Sequence, residues 1–313
     1  MQTKALLSYL YFQDDHIIID EITPKNRFGE FVNNETKLRS NSVSKSLVSY
    51  VLGHAICEGY IEGVDSTMND WPLVKNTLYE NQKLIDLINM NAGDQKYIDS
   101  NSSMGGFMAG YNTDTNSIYK TMNFFKNIKK SKPVYNYHDL LPNIIFNYIL
   151  FKSGNDFQKI LDKVYKEKAK IKNSVYFFKL REREEYGNAH NMFFATRYDY
   201  LRIAKAVMDD YQNDTCVGKY LKNIYEKRIP KNNKKPALEP HYQRSSSYGG
   251  YFHLDYPGLK KRVVFGMSGY GGQTILIDVE NSRIVVINSS HYNNTKYKFN
   301  HKKLMLNPIK KGK

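Results

Sequence analysis

Apolar residues alternate with polar ones at both ends of this chain and recur at helical spacing in between, which leaves few folds open. Leu10, Phe12, Ile17 and Ile19 mark a half-buried hairpin in residues 1 to about 40, with Gln13-Asp14-Asp15 as its turn. Four short β-rich runs lie near the other end: Tyr248 to Leu254, Arg262 to Met267, Thr274 to Asp278 and Arg283 to Asn288. From about 42 to 228 the pattern is helical. Leu47, Val48, Val51, Leu52, Ala55 and Ile56 form one stripe over Ser46 to Tyr60, stopped by Gly59, and further stripes run through Lys83–Met90, Asn143–Lys152, Phe157–Lys168 and Tyr198–Met208. Strands at both ends need each other to form a sheet. The prediction is an α+β fold in which an antiparallel sheet built from both termini is flanked by helices. One domain spans 1–313, with an α/β part of about 1–60 and 229–313 and a mostly helical part of about 61–228.

The chain has 313 residues, 41% of them hydrophobic, enough for a substantial core. Its net charge of +15 raises the question of nucleic acid. The lysines of 126–172 and 222–235 stand among acidic residues or at helical spacing, as Lys159, Lys163, Lys166 and Lys170 do, and read as a solvated face. No specific nucleic-acid partner is expected. No stretch approaches the roughly 18 apolar residues of a membrane span. Cys57 and Cys216 are far apart and outside any CxxC or Cys/His cluster, so neither a zinc site nor a disulfide is expected, and a reducing compartment is the default. Met1 to Tyr9 faintly has the look of an export signal but lacks a small-residue cleavage site, which favours the cytoplasm, or the periplasm if residues precede Met1. His54, His138 and His253 have no metal-ligand spacing, and neither a metal nor a cofactor is expected.

Two stretches read Ser-x-x-Lys: Ser42-Val43-Ser44-Lys45 and Ser117-Ile118-Tyr119-Lys120. Three residues along a helix bring a lysine amine beside a serine hydroxyl, the arrangement a nucleophile and its base need. Ser42 opens the strongest apolar helix, so its backbone N–H is a first-turn donor able to hold an oxyanion. Ser117 precedes a weaker stretch and reads as surface. Gly266-Met267-Ser268-Gly269-Tyr270 is not a Gly-x-Ser-x-Gly elbow, because its fifth residue is Tyr.

The run from Ser42 through Lys45 to Ser49, continuing to Cys57-Glu58-Gly59-Tyr60-Ile61, resembles the first motif of the serine β-lactamase and penicillin-binding-protein superfamily. It is most similar to the branch of class C β-lactamases, related esterases and 6-aminohexanoate-dimer hydrolases, whose Leu-Leu-Thr-Met-Thr-Ser-Gly segment Leu84 to Gly93 also resembles. Tyr137-His138-Asp139 falls where that family has Tyr-x-Asn, and Met267-Ser268-Gly269 where it has Lys/His-Thr/Ser-Gly on a strand. The resemblance implies an acyl hydrolase with Ser42 as nucleophile, Lys45 as base and Tyr137 as proton relay. It further implies an oxyanion hole from the N–H groups of Ser42 and Tyr270, and substrate contacts at Asp139, Met267, Ser268 and Gly269. Met267 lacks the family's cation, which favours small uncharged or weakly charged linear amides and esters over β-lactams. Asp139 replaces Asn, and reads equally well as a helix N-cap. A penicillin-binding or β-lactamase-type enzyme, and a non-catalytic binding protein on the same fold, remain the alternatives. Met104 to Tyr111, glycine-rich and aromatic, reads as a lid or as an idle loop, and Tyr248 to Phe252 as cleft lining or core.

Overall fold

The structure is a computed structural model that describes residues 5–98, 118–179, 189–232, 244–290 and 299–311. Its strands are β1 (Leu6–Gln13), β2 (His16–Ile22), β3 (Leu38–Arg39), β4 (Tyr176–Lys179), β5 (Ala189–Ala195), β6 (Ile229–Pro230), β7 (Ser247–Gly249), β8 (Phe252–Leu254), β9 (Val264–Gly269), β10 (Gln273–Asp278) and β11 (Arg283–Ser289). The described helices are α1 (Val43–Cys57), α2 (Leu84–Ile88), α3 (Gln95–Ile98), α4 (Ile118–Phe124), α5 (Leu140–Ser153), α6 (Phe157–Asp162), α7 (Arg197–Gln212), α8 (Cys216–Glu226) and α9 (His301–Lys310).

Eight strands form one antiparallel sheet in the order β2-β1-β11-β10-β9-β8-β7-β6, so the two ends of the chain meet at the β1–β11 ladder, where Leu10 pairs with Val286. The expected hairpin turns at Asp14 and Asp15, both with positive φ (46° and 63°), a tight turn that matches strand twist. A small sheet, β3-β5-β4, lies beside it. Period-2 alternation divides the large sheet's side chains between two cores. Leu10, Phe12, Ile275, Ile277, Ile284, Val286, Phe265 and Met267 face the layer of α1, α5, α7 and α8. Tyr9, Tyr11, Leu276, Val285 and Ile287 face α9, through Met305, Leu306 and Ile309. The α+β fold is therefore as expected.

Two expectations are corrected. The first α-helix is not amphipathic: every residue from Val43 to Ala55 is buried, because α1 runs between the sheet and the helices α5 and α8. Closeness to α8 is such that a Cβ on Gly53 would stand 2.6 Å from the Tyr220 ring. The second correction is Cys57 and Cys216, which form a disulfide with Cα atoms 5.8 Å apart. It ties the end of α1 to the start of α8 across 159 residues, a proximity created by packing and invisible in sequence spacing. Elsewhere Tyr248–Leu254 is two strands rather than one, broken where Gly250 and Tyr251 take positive φ (55° and 63°), and its aromatics are core. Among the described residues, no helix is long and apolar enough to cross a membrane.

Candidate active site

A cleft of about 280 Å³ opens where the start of α1, the start of α5, β5 and the turn after β9 converge. Ser42 stands at the N-cap of α1 with helical backbone angles (φ −70°, ψ −1°) and makes no side-chain capping bond. Its hydroxyl is left for the cleft. Lys45, one turn on and 1% exposed, donates from Nζ to Ser42 Oγ at 2.8 Å. The burial of this lysine is what an ordinary helix face would not produce.

Asp139 occupies the N-cap position of α5 yet caps nothing. The Leu140 N–H goes instead to His138 Nδ1 at 3.2 Å, and the Asp139 Oδ1 pairs with Lys45 Nζ. This ammonium is the main reason the Asp139 carboxyl lies below the usual carboxylate range, against an opposing desolvation effect. The second carboxylate oxygen accepts no hydrogen bond from a described residue, and the side chain is 62% exposed on the cleft wall. Between Tyr137 and Asp139, His138 turns the other way: Nε2 lies 3.1 Å from Asp94 Oδ2, which also accepts from the Tyr79 hydroxyl. Next to this buried anchor, Asp139 is left on the cleft wall.

Tyr137 lies against the lysine, with Nζ 5.0 Å from the ring centroid. Burial first, and then the charge of Asp139, push its phenol above the usual range, while a hydrogen bond with Ser42 works in the opposite direction. The phenol therefore keeps its proton at neutral pH, and is a donor rather than a base. Tyr135 is packed in the core with its ring 5.3 Å from that of Tyr248.

Strand β9 ends against the entry to α1. Gly269 is extended (φ −132°), and a Cβ there would lie 2.5 Å from Ser40 O and 3.0 Å from Ser42 N. The turn that follows needs left-handed residues, met by Gly271 (φ 78°) and Gly272 (φ 92°). Asn41 Nδ2 donates to the Tyr270 carbonyl at 2.7 Å, pinning this turn to the segment that enters α1. The Ser42 N–H makes no hydrogen bond to a described residue, which leaves a donor facing the cleft. Met267 and Ser268 are consecutive in β9 and point to opposite faces. Met267 is fully buried toward α1, Ser268 approaches Tyr256 on the α9 side, and neither lines the cleft.

Sequence reasoning did not find Arg39, Asn41 or the β5 wall of His190, Asn191 and Met192, all of which line the cleft. Strand β5 is preceded in sequence by Gly187-Asn188 but lacks regular alternation of its own, and it is fixed by long-range bonds, such as Asn191 N to Asn143 Oδ1 at 2.9 Å. Ser117 and the loop Met104 to Tyr111 lie outside the described residues.

No protein-family model matches the chain, and no curated protein matches it in sequence. Solved structures do match in shape. A β-lactamase candidate from Bacteroides dorei DSM 17855 superposes with a TM-score of 0.71 at 12% identity, over 99% of this chain and 93% of its own. A candidate 6-aminohexanoate-dimer hydrolase from Bacillus anthracis gives 0.65 at 14% identity, over 98% of this chain and 78% of its own. The chain has the fold of the serine β-lactamases and penicillin-binding proteins. A D-stereospecific amidohydrolase from Streptomyces sp. shares it as well, with a TM-score of 0.61 and 13% identity over 96% of this chain and 93% of its own. Within this β-lactamase fold, Ser42, Lys45, Tyr137 and Asp139 are in mutual contact although Ser42 and Asp139 are 97 positions apart.

Proposed function

We propose that this protein is a serine hydrolase that cleaves amide or ester bonds through an acyl-enzyme on Ser42. The observation that carries the reading is the 2.8 Å bond from the buried Lys45 to a serine hydroxyl that opens on a cleft. Lys45 first sheds one ammonium proton to solvent in the cleft; Ser42 Oγ then attacks the carbonyl carbon and the neutral Nζ takes the Oγ proton. The oxyanion is held by the N–H groups of Ser42 and Tyr270, with Gly269 allowing the close approach of the two segments. Tyr137, kept protonated by burial, supplies a proton to the leaving group and regains one from solvent, and water then releases the acyl group.

Substrate contacts fall to Arg39, Asn41, Asp139 and Tyr270 on the cleft walls; Gly269 sets the approach of β9 to α1, whereas Met267 and Ser268, expected as substrate contacts, lie off the cleft. With no cation at Met267, linear amides and esters are favoured over β-lactams, and the Bacillus anthracis protein of the same fold is named as a 6-aminohexanoate-dimer hydrolase. The disulfide supports an oxidising compartment as the place of action. The test is turnover of p-nitrophenyl esters and of linear anilides by wild type and Ser42→Ala. Activity lost in the variant, with folding intact, supports the reading; equal activity in the two proteins sinks it. Rapid hydrolysis of nitrocefin would favour the β-lactamase alternative, and absence of any turnover or adduct the binding-protein alternative.

A further inference from the structure

We propose that Asp139 is the general base that activates water in deacylation, a step that rests on Ser42 carrying the acyl group. Four observations converge on it. Asp139 stands at a helix N-cap, where an aspartate ordinarily accepts a first-turn N–H, and its side chain forgoes that bond. His138 meets the Leu140 N–H in its place, so the carboxylate is released for another task. One of its oxygens is fixed on Lys45, the residue bonded to the nucleophile's hydroxyl. The other oxygen has no hydrogen bond from a described residue, on a side chain that is 62% exposed and lines the cleft.

A carboxylate is an acceptor without donors, and an ionised one takes a proton from water where a carboxamide does not. Lys45, 2.8 Å from Oγ, sets Asp139 Oδ1 within one lysine nitrogen of the ester linkage. The second oxygen, on a cleft that Ser42 also lines, is the one left to take a proton from an entering water. Tyr137 cannot serve equally, since burial and the Asp139 charge hold its phenol protonated. The protons balance as follows. Water's oxygen bonds to the acyl carbon as Asp139 takes one of its protons, and the carbonyl electron pair moves onto an oxygen held by the Ser42 and Tyr270 N–H groups. On collapse the bond from carbon to Oγ breaks, Oγ takes a proton from the Lys45 ammonium, and Lys45 recovers one from Asp139. The carboxylic acid leaves and the ion pair is restored.

Asp139→Asn keeps the size of the side chain and an oxygen for Lys45 while removing the base. With p-nitrophenyl butyrate, the variant is expected to give a stoichiometric burst of p-nitrophenolate followed by a steady rate lower by roughly 10²–10⁴-fold. Intact-protein mass spectrometry should show a butyryl adduct on Ser42 that persists in the variant and turns over in wild type. Hydroxylamine, a nucleophile that needs no deprotonation by the enzyme, should discharge that adduct and restore turnover. Steady-state turnover within about three-fold of wild type, or loss of the burst together with the turnover, overturns the proposal. A wild-type enzyme whose ester hydrolysis survives Ser42→Ala is a different failure, that of the acyl-enzyme itself.

Discussion

Gly269→Ala probes the proposed oxyanion hole between Ser42 and Tyr270. The residue is extended, so alanine meets no backbone strain, and the whole effect is steric. Its new methyl group would start 2.5 Å from Ser40 O, 3.0 Å from Ser42 N and 3.1 Å from Asn41 Cβ. Ordinary carbon contacts begin near 3.5 Å, so the end of β9 and the entry to α1 have to separate by about 1 Å. Oxyanion donors work at about 2.7–3.1 Å, and a separation of that size removes one of the two. Turnover should fall by roughly 10²–10³-fold, equivalent to about 3–4 kcal/mol in the transition state. Stability should fall by about 1–3 kcal/mol, the usual effect of overpacking. Gly266→Ala is the matched control on the same strand, because its Cβ would strike the Tyr256 hydroxyl 1.8 Å away, on the α9 side of the sheet. That variant should lose stability and keep its kcat. Ester hydrolysis by both variants, with melting temperatures measured in parallel, provides the comparison. Gly269→Ala with kcat within about three-fold of wild type would refute the placement of the oxyanion between Ser42 and Tyr270.

Tyr137→Phe should reduce turnover by roughly 10²–10⁴-fold, more for an anilide than for an activated ester, whereas Tyr135→Phe, in the core, should leave turnover nearly intact; the reverse order would mean that the second motif is shifted by two residues. Replacing Cys57 and Cys216 together by Ala should cost about 2–5 kcal/mol in denaturant unfolding, because the link closes a loop of 159 positions, and the same loss should follow reduction of the wild type. Buried His54 has its pKa lowered to about 4, chiefly by desolvation, so the folded protein binds fewer protons than the unfolded chain between that value and an ordinary imidazole pKa of about 6.5. Stability is then full above about pH 6.5 and is lost as pH falls toward about 4, by about 3 kcal/mol from this residue, and His54→Gln should flatten that slope in a series of melts.

How much of this was legible in the sequence differs from one residue to the next. That the two ends share one sheet followed from alternation at Leu10 and Phe12 and from the β-rich run Arg283 to Asn288, while the pairing of β1 with β11 came only with the structure. Lys45 was placed beside Ser42 by helical spacing, a local relation. Partners that depend on packing were hidden. The Cys57–Cys216 link and the β5 wall belong to this group, the latter carried by a strand whose anchors, Asn143 and Asn147, lie on another element. The burial of α1 on all sides was hidden too, because an apolar stripe reports one covered face and says nothing of the serines at positions 44, 46 and 49, which are buried as well. In the structure Ser46 donates to the Tyr251 carbonyl at 2.6 Å and Ser49 bonds Tyr220 Oη at 2.7 Å. Asp139 was open between two readings, and its unused cap decides against the structural one.

Covalent labelling tests the central claim most directly. The protein would be incubated with a fluorophosphonate, digested and mapped by mass spectrometry, with Ser42→Ala and Ser117→Ala treated alongside. The account predicts a single adduct on Ser42, absent from Ser42→Ala and present in Ser117→Ala, whereas an adduct on another residue, or the same labelling in Ser42→Ala, would contradict it.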